Sequence, residues 1–264
     1  MTVWGHGGTP PATSGLRLVV LGSAGTYASR ERACSSYLVE ADGYRLLLDC
    51  GNGSLSRLQH RCDVAHLDAV LITHLHPDHF VDLYGLYYAL RFHPDGMRSV
   101  PVCAPADAQR FVAQLLPLES AELLPVCCRF QAAKAGDALE FGPLRVRLFA
   151  AAHPVETLAV RVEHPGGVIA YSADSGPSPE IIACASGADL LLCDSTWLER
   201  QRPLPEGVHM TGAEAGRTAA AAGVGRLLVT HVFPRNDPAV VAEEAASEFG
   251  GPVLVAVDLE EYVL

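Results

Sequence analysis

Residues 73–79, Thr-His-Leu-His-Pro-Asp-His, bring three imidazoles and a carboxylate into six consecutive positions behind the apolar run 69–73. That run predicts a buried strand. His74 and His76 are two apart, so in extended backbone their side chains leave from the same face. Pro77 stops the strand and suits the first position of a helix. Asp78 and His79 then sit on the first helical turn and face back into the same space. Four nitrogen and oxygen donors converging there suit two adjacent divalent ions. The alternative is a chance cluster of surface histidines, and three in six residues at ligand spacing beside a buried strand seldom arise by chance.

Working outward, the same placement recurs. His153 follows the run 144–150 in Ala-Ala-His-Pro, Asp174 follows 168–172 in Tyr-Ser-Ala-Asp-Ser, and His231 follows 226–230 in Val-Thr-His-Val. Each closes an apolar strand, where α/β folds build their sites. Taken singly, each reads as an ordinary strand-end polar residue. The repetition argues for one shared site.

The rest of the pattern supplies the frame. A strand is predicted at 16–22, and a hairpin at 36–40 and 44–49 turns on Asp42-Gly43. Further strands are expected at 100–104, 158–163, 190–194 and 253–257. Helices are expected at 54–59, 77–91, 106–115, 179–185, 211–222 and 238–249. Thr211 and Glu214 make a T-x-x-E capping box, while Gly212 and Gly216 weaken the helix that follows. Two β-rich halves, each with helices, predict two sheets packed face to face with helices outside, an α/β (α+β) sandwich. No linker divides 16–264, which reads as one domain behind a Gly-, Pro- and Thr-rich flexible leader at 1–15, with His6 incidental.

The 264 residues are 49% hydrophobic and 19% charged, as a folded chain requires, and the net charge is −11. Proteins that grip long nucleic acid usually present a basic face, so a small anionic ligand is the better expectation. No apolar run reaches the roughly 20 residues of a membrane helix. The eight cysteines contain no C-x-x-C pair, and reduced thiols in the cytoplasm account for them most simply.

The H-x-H-x-D-H signature, with His153, Asp174 and His231 behind it, resembles the metallo-β-lactamase-fold hydrolases from Leu16 to the end of the chain. The resemblance implies a four-layer αββα sandwich. It implies that His74, His76 and His153 hold one metal, that Asp78, His79 and His231 hold a second, and that Asp174 bridges them. The implied ions are zinc, with manganese as the other candidate. Asp49, in Leu-Asp-Cys-Gly, matches the family's aspartate that orients a ligand histidine; a polar strand end before a glycine turn is the plainer reading. Val208-His209-Met210-Thr211 resembles the H-x-T element of the phosphodiesterase branch, which includes ribonuclease Z. His209 is thereby the candidate donor at the scissile phosphate, counted as catalytic together with Asp78, against the alternative of a solvated loop histidine. Bacterial ribonuclease Z carries a tRNA-gripping arm between the residues matching His153 and Asp174, but here only residues 154–173 lie between them. Segments 90–94, 209–216 and 227–231 are similar to actinobacterial ribonuclease Z-like proteins that hydrolyse cyclic nucleotides.

The expected function is therefore a dinuclear phosphodiesterase of small cyclic nucleotides, working through a hydroxide held between its metals. The alternatives are a ribonuclease, a hydrolase of esters, thioesters or lactams on the same scaffold, and a non-catalytic metal-dependent binding protein. Trp197 reads either as a ring for a nucleobase or as a core indole. Tyr84, Tyr87 and Tyr88 read as packing residues, and Arg235 as a solvated arginine. A homodimer is expected from the resemblance alone.

Overall fold

A computed structural model describes residues 15–264; of the leader 1–15 only Gly15 falls within them, and His6 lies outside. In the first half, the strands are β1 (Leu16–Gly22), β2 (Ser36–Ala41), β3 (Tyr44–Leu48), β4 (Ala69–Leu71), β5 (Val100–Ala104) and β6 (Cys128–Ala132). The helices between them are α1 (Ser54–Arg61), α2 (Pro77–Phe80), α3 (Leu83–Arg91), α4 (Ala108–Ala113) and α5 (Leu118–Cys127). The second half holds β7 (Ala138–Phe141), β8 (Leu144–Ala150), β9 (Leu158–His164), β10 (Gly167–Tyr171), β11 (Leu190–Asp194), β12 (Arg226–Thr230) and β13 (Val253–Val255). Its helices are α6 (Pro179–Ala185), α7 (Gly212–Ala222) and α8 (Pro238–Phe249), and the last strand is β14 (Glu261–Val263).

Two seven-stranded sheets result, ordered β14-β1-β2-β3-β4-β5-β6 and β13-β12-β11-β10-β9-β8-β7. β14 returns to pair antiparallel with β1, so the chain end closes the first sheet. Alternation along the strands sorts side chains between layers. Leu16, Leu18 and Val20 of β1 meet Leu148, Val160, Ile169 and Leu192 in the core between the sheets. Val19 and Leu21 point the other way, into an outer core with Phe80, Leu86, Tyr87 and Leu90. On the opposite flank Leu191, Cys193, Leu227 and Val229 pack on α6, α7 and α8. This is the expected αββα sandwich of helices outside and sheets inside.

Three differences from the sequence reading have physical causes. The helix expected at 77–91 is two, because the Asp82 amide donates to the Cys50 carbonyl at 3.0 Å instead of continuing the helical ladder. α5 carries Pro125 inside it and was not expected. The unexpected strands β6, β7 and β14 are all at or beside sheet edges, where exposure blurs the apolar pattern. Tyr84 and Tyr87 pack as expected, with the Tyr87 hydroxyl donating to the Ser120 carbonyl, whereas Tyr88 is exposed because it faces outward on α3. All eight cysteines are free, and among the described residues no helix is long and apolar enough to cross a membrane.

Gly212 and Gly216, poor residues for a helix by propensity, have a packing role. A Cβ at Gly216 would lie 2.3 Å from the Ala245 carbonyl oxygen, and one at Gly212 would lie 2.3 Å from that of Val241. Both glycines let α7 press against the backbone of α8. Gly216→Ala is therefore expected to destabilise the protein by about 1–3 kcal/mol through overpacking, although alanine is the better helix former. Urea denaturation checks the sign; a stabilised variant would show that the two helices separate cheaply.

Candidate metal centre

The site is assembled from the carboxyl-terminal ends of strands in both sheets. Asp49 leaves β3 with φ of 59°, a left-handed turn that aims its carboxylate inward. That buried carboxylate accepts from the Thr73 amide (2.7 Å), the Thr73 hydroxyl (2.9 Å), Tyr171 Oη (3.0 Å) and His79 Nδ1 (2.8 Å). Asp49 thus orients His79. Having donated to Asp49, the Thr73 hydroxyl accepts from His74 Nδ1 at 3.1 Å. Pro77 opens α2 and sets Asp78 and His79 on its single turn.

The second sheet delivers the rest. His153 Nδ1 donates to the Val208 carbonyl at 2.8 Å. Asp174 follows Ala173, whose φ is 52°, and His231 itself has φ of 54°. Its Nδ1 donates to Thr196 Oγ1 at 2.8 Å, because that hydroxyl donates its own proton to Asp194 Oδ1 at 2.7 Å. A Cβ on Gly25 would lie 2.7 Å from His231 Nδ1, so only glycine fits against that ring.

These outward hydrogen bonds fix the tautomers. His74, His79, His153 and His231 each spend Nδ1–H on the protein, which leaves Nε2 as a lone pair facing inward. There the acceptors crowd together. His79 Nε2 lies 3.0 Å and His231 Nε2 3.3 Å from Asp174 Oδ1, and His74 Nε2 lies 3.5 Å from Asp174 Oδ2. His79 and His231 approach to 3.2 Å through Nε2, His231 Nε2 lies 3.1 Å from Asp78 Oδ2, and His153 Nε2 lies 3.1 Å from His76 Nδ1. His74 Nε2 and Asp174 Oδ1 are buried without any hydrogen-bond partner. Such a gathering of acceptors calls for cations.

Two groups of expected ligands have donor atoms within 4.8 Å of one another, namely His74, His76, His153 and Asp174, and Asp78, His79, Asp174 and His231; a third such group is Asp174, Asp194, His209 and His231. All seven residues expected from the sequence are brought together, and Asp174 belongs to both of their groups. Such His/Asp clusters suit a dinuclear metal site. The bare electrostatics point the same way. Burial works against charge on His79, yet Asp174 and Asp49 raise it well above the usual histidine range. Burial also opposes ionisation of Asp174, but His231, His79 and His74 hold it well below the usual carboxylate range. Burial and the neighbouring His79 push His74 down to about 4. The carboxylates thus favour positive charge at this spot, of the kind a bound cation would supply.

His209 stands beside this cluster. Its Nδ1 donates to Asp194 Oδ2 at 2.7 Å, and its ring centroid lies 5.1 Å from that of His231 and 5.4 Å from that of His153. Burial opposes its charge, but Asp194 and then Asp174 push it up to about 9. Asp194 and Thr196 escaped the sequence reading. The available signal was position, since Asp194 closes β11 as Asp174 and His231 close their strands. Trp197 packs edge-on against His209 at 5.1 Å, half-buried, and Arg235 is exposed. His93 and His164 lie away from the cluster, paired with Asp63 and Asp42.

Comparisons with known proteins agree with this geometry. A family model described as the β-lactamase superfamily domain matches residues 44–232. The uncharacterized protein Rv1339 of Mycobacterium tuberculosis is 33% identical over 254 residues, covering 94% of this chain and 91% of that protein. The probable metallo-hydrolase YhfI of Bacillus subtilis is 30% identical over 247 residues, covering 91% of this chain and 97% of that protein. Its crystal structure superposes with a TM-score of 0.84 over 96% of this chain and 100% of that one, at 28% identity. A ribonuclease Z of Myxococcus xanthus is 28% identical over 300 aligned positions, covering 92% of this chain and 96% of that protein.

Because one carboxylate belongs to both donor groups, Asp174→Ala is expected to lose both ions together. Zinc per chain, measured by atomic emission after zinc loading and gel filtration, should fall from about two to well below one. Retention of both ions would remove the bridging role.

Proposed function

This chain belongs to the β-lactamase superfamily, as a metallo-hydrolase with ribonuclease Z among its relatives, and from that premise we propose a phosphodiesterase acting on small cyclic nucleotides. The observation that carries the reading is the acceptor-lined cluster with His209 beside it. We assign His74, His76 and His153 to one ion, Asp78, His79 and His231 to the other, and Asp174 to both. The imidazole and carboxylate donors suit zinc, with manganese the second candidate. When bound, the two ions supply an ionised water at neutral pH and neutralise charge on the phosphoryl oxygens.

The protein's own groups do the rest. Asp49 and Thr73 hold His79 and His74 in the tautomer that presents Nε2. Asp194 engages Nδ1 of His209 and favours its protonated form, which leaves Nε2–H for the substrate. His209 then donates to the leaving oxygen as the ester bond breaks, and Asp194 stabilises the imidazolium before transfer. Against an ester or lactam hydrolase stands the segment Val208-His209-Met210-Thr211, which resembles the H-x-T element of the phosphodiesterase branch.

Insertions in a relative support a small substrate. The alignment with the Myxococcus ribonuclease Z spans 300 positions, more than the 264 residues of this chain, so that enzyme carries segments absent here. With a net charge of −11 as well, a compact diester is favoured over a polynucleotide. Eight free cysteines, seven of them buried, suit a reducing compartment such as the cytoplasm.

The deciding assay sets bis-p-nitrophenyl phosphate, cyclic AMP, a short RNA and a lactam against the zinc- and manganese-loaded protein. Turnover of both small diesters is expected; turnover of RNA alone would move the reading to a ribonuclease, and none with both ions bound would end it. His209→Ala is expected to keep its metal and lose about 10²–10³ in kcat, as for removal of one transition-state donor. A variant as active as the parent would dismiss His209.

A further inference from the structure

One aromatic pair with an exposed member lies on segments that adjoin the cluster and has no part in the chemistry above. Tyr27 is 44% exposed, and its ring meets that of Phe233 edge-on at 5.7 Å and 89°. Both rings ride on segments locked to the donor residues. Phe233 is two residues beyond His231, and its amide donates to the Thr196 carbonyl at 3.3 Å. Tyr27 follows Thr26, whose amide donates to Asp78 Oδ2 at 2.7 Å. Thr26 holds φ of 68°, a conformation that β-branched residues seldom adopt.

The two segments are also zipped to each other. The Gly25 amide donates to the Val232 carbonyl at 3.2 Å, and the Val232 amide donates to that of Ser23 at 3.1 Å. Gly25 lies so close to His231 that a Cβ there would sit 2.4 Å from the His231 carbonyl oxygen. The backbone that carries Tyr27 is therefore anchored beside Asp78 and His231. A rigid, exposed ring carries little ordering cost on binding. Trp197 is a weaker candidate, because its ring is already engaged with His209.

We propose that Tyr27, braced by Phe233, is the platform on which the planar base of a nucleotide substrate stacks at the Asp78–His231 side of the cluster. The proposal deepens, and rests on, the phosphodiesterase reading. The base stacks on the exposed Tyr27 ring, while the phosphate lies at the clustered acceptors and the ions they would bind. Stacking of this kind tolerates different bases but discriminates against a ligand that has none.

The test compares two phosphates that differ only in carrying a base. Calorimetric titration of the zinc-loaded full chain with AMP and with ribose 5-phosphate is run on the parent, Tyr27→Ala, Tyr27→Leu and Tyr27→Phe. The parent should bind AMP about 5- to 100-fold more tightly than ribose 5-phosphate. Tyr27→Ala and Tyr27→Leu should bring that ratio close to one by weakening AMP, and Tyr27→Phe should keep it. Zinc content and thermal midpoint report whether each variant is folded. A ratio near one in the parent, a ratio that survives Tyr27→Ala and Tyr27→Leu, or binding of neither ligand overturns the proposal. Cyclic AMP turnover by the parent with an unchanged ratio in the variants removes the platform and leaves the phosphodiesterase reading. Loss of the ratio in a protein that cleaves no diester does the reverse.

Discussion

The buried carboxylate of Asp49 is the constraint on which the rest depends. It sits at 0% exposure and is met by donors from Thr73 behind β4, His79 on α2 and Tyr171 on β10. β10 belongs to the opposite sheet, so one side chain sets the two sheets in register at the level of the cluster. Hydrogen bonds to a charged group contribute about 1.5–3 kcal/mol each, and a buried carboxylate stripped of them is strongly unfavourable. The arrangement works only as a whole: each donor satisfies Asp49, and Asp49 in turn fixes His79 and, through Thr73, His74.

A second regularity is backbone handedness. Asp49, Ala173 and His231 all have positive φ at or just beyond the ends of strands. A strand continuing straight would carry its next side chain past the site. A left-handed residue turns the chain sharply and aims a polar group inward. Such conformations are uncommon for residues other than glycine, and three of them around one cluster match the clustering of backbone strain at functional sites.

Legibility in the sequence followed burial and spacing. β1, β4, β10, β11 and β12 are apolar on both faces and were readable as continuous runs. The seven clustered side chains were readable because three imidazoles in six residues are distinctive and the remaining donors repeat one placement. Residues joined only through space were not. Asp194 meets His209 fifteen positions away and Thr196 meets His231 thirty-five positions away, with no local pattern announcing either pair. The break between α2 and α3 depends on a carbonyl at Cys50, and the roles of Gly212 and Gly216 depend on a helix that follows them.

The hydrogen bond from His153 Nδ1 to the Val208 carbonyl joins two tasks that the chemistry keeps apart. Val208 immediately precedes His209, so the imidazole proposed to grasp an ion also pins the segment that delivers the proton donor. One hydrogen bond thus couples the position of a proposed ligand to that of the proposed donor. Any change in the pose of His153 is therefore felt at His209 through a single peptide unit.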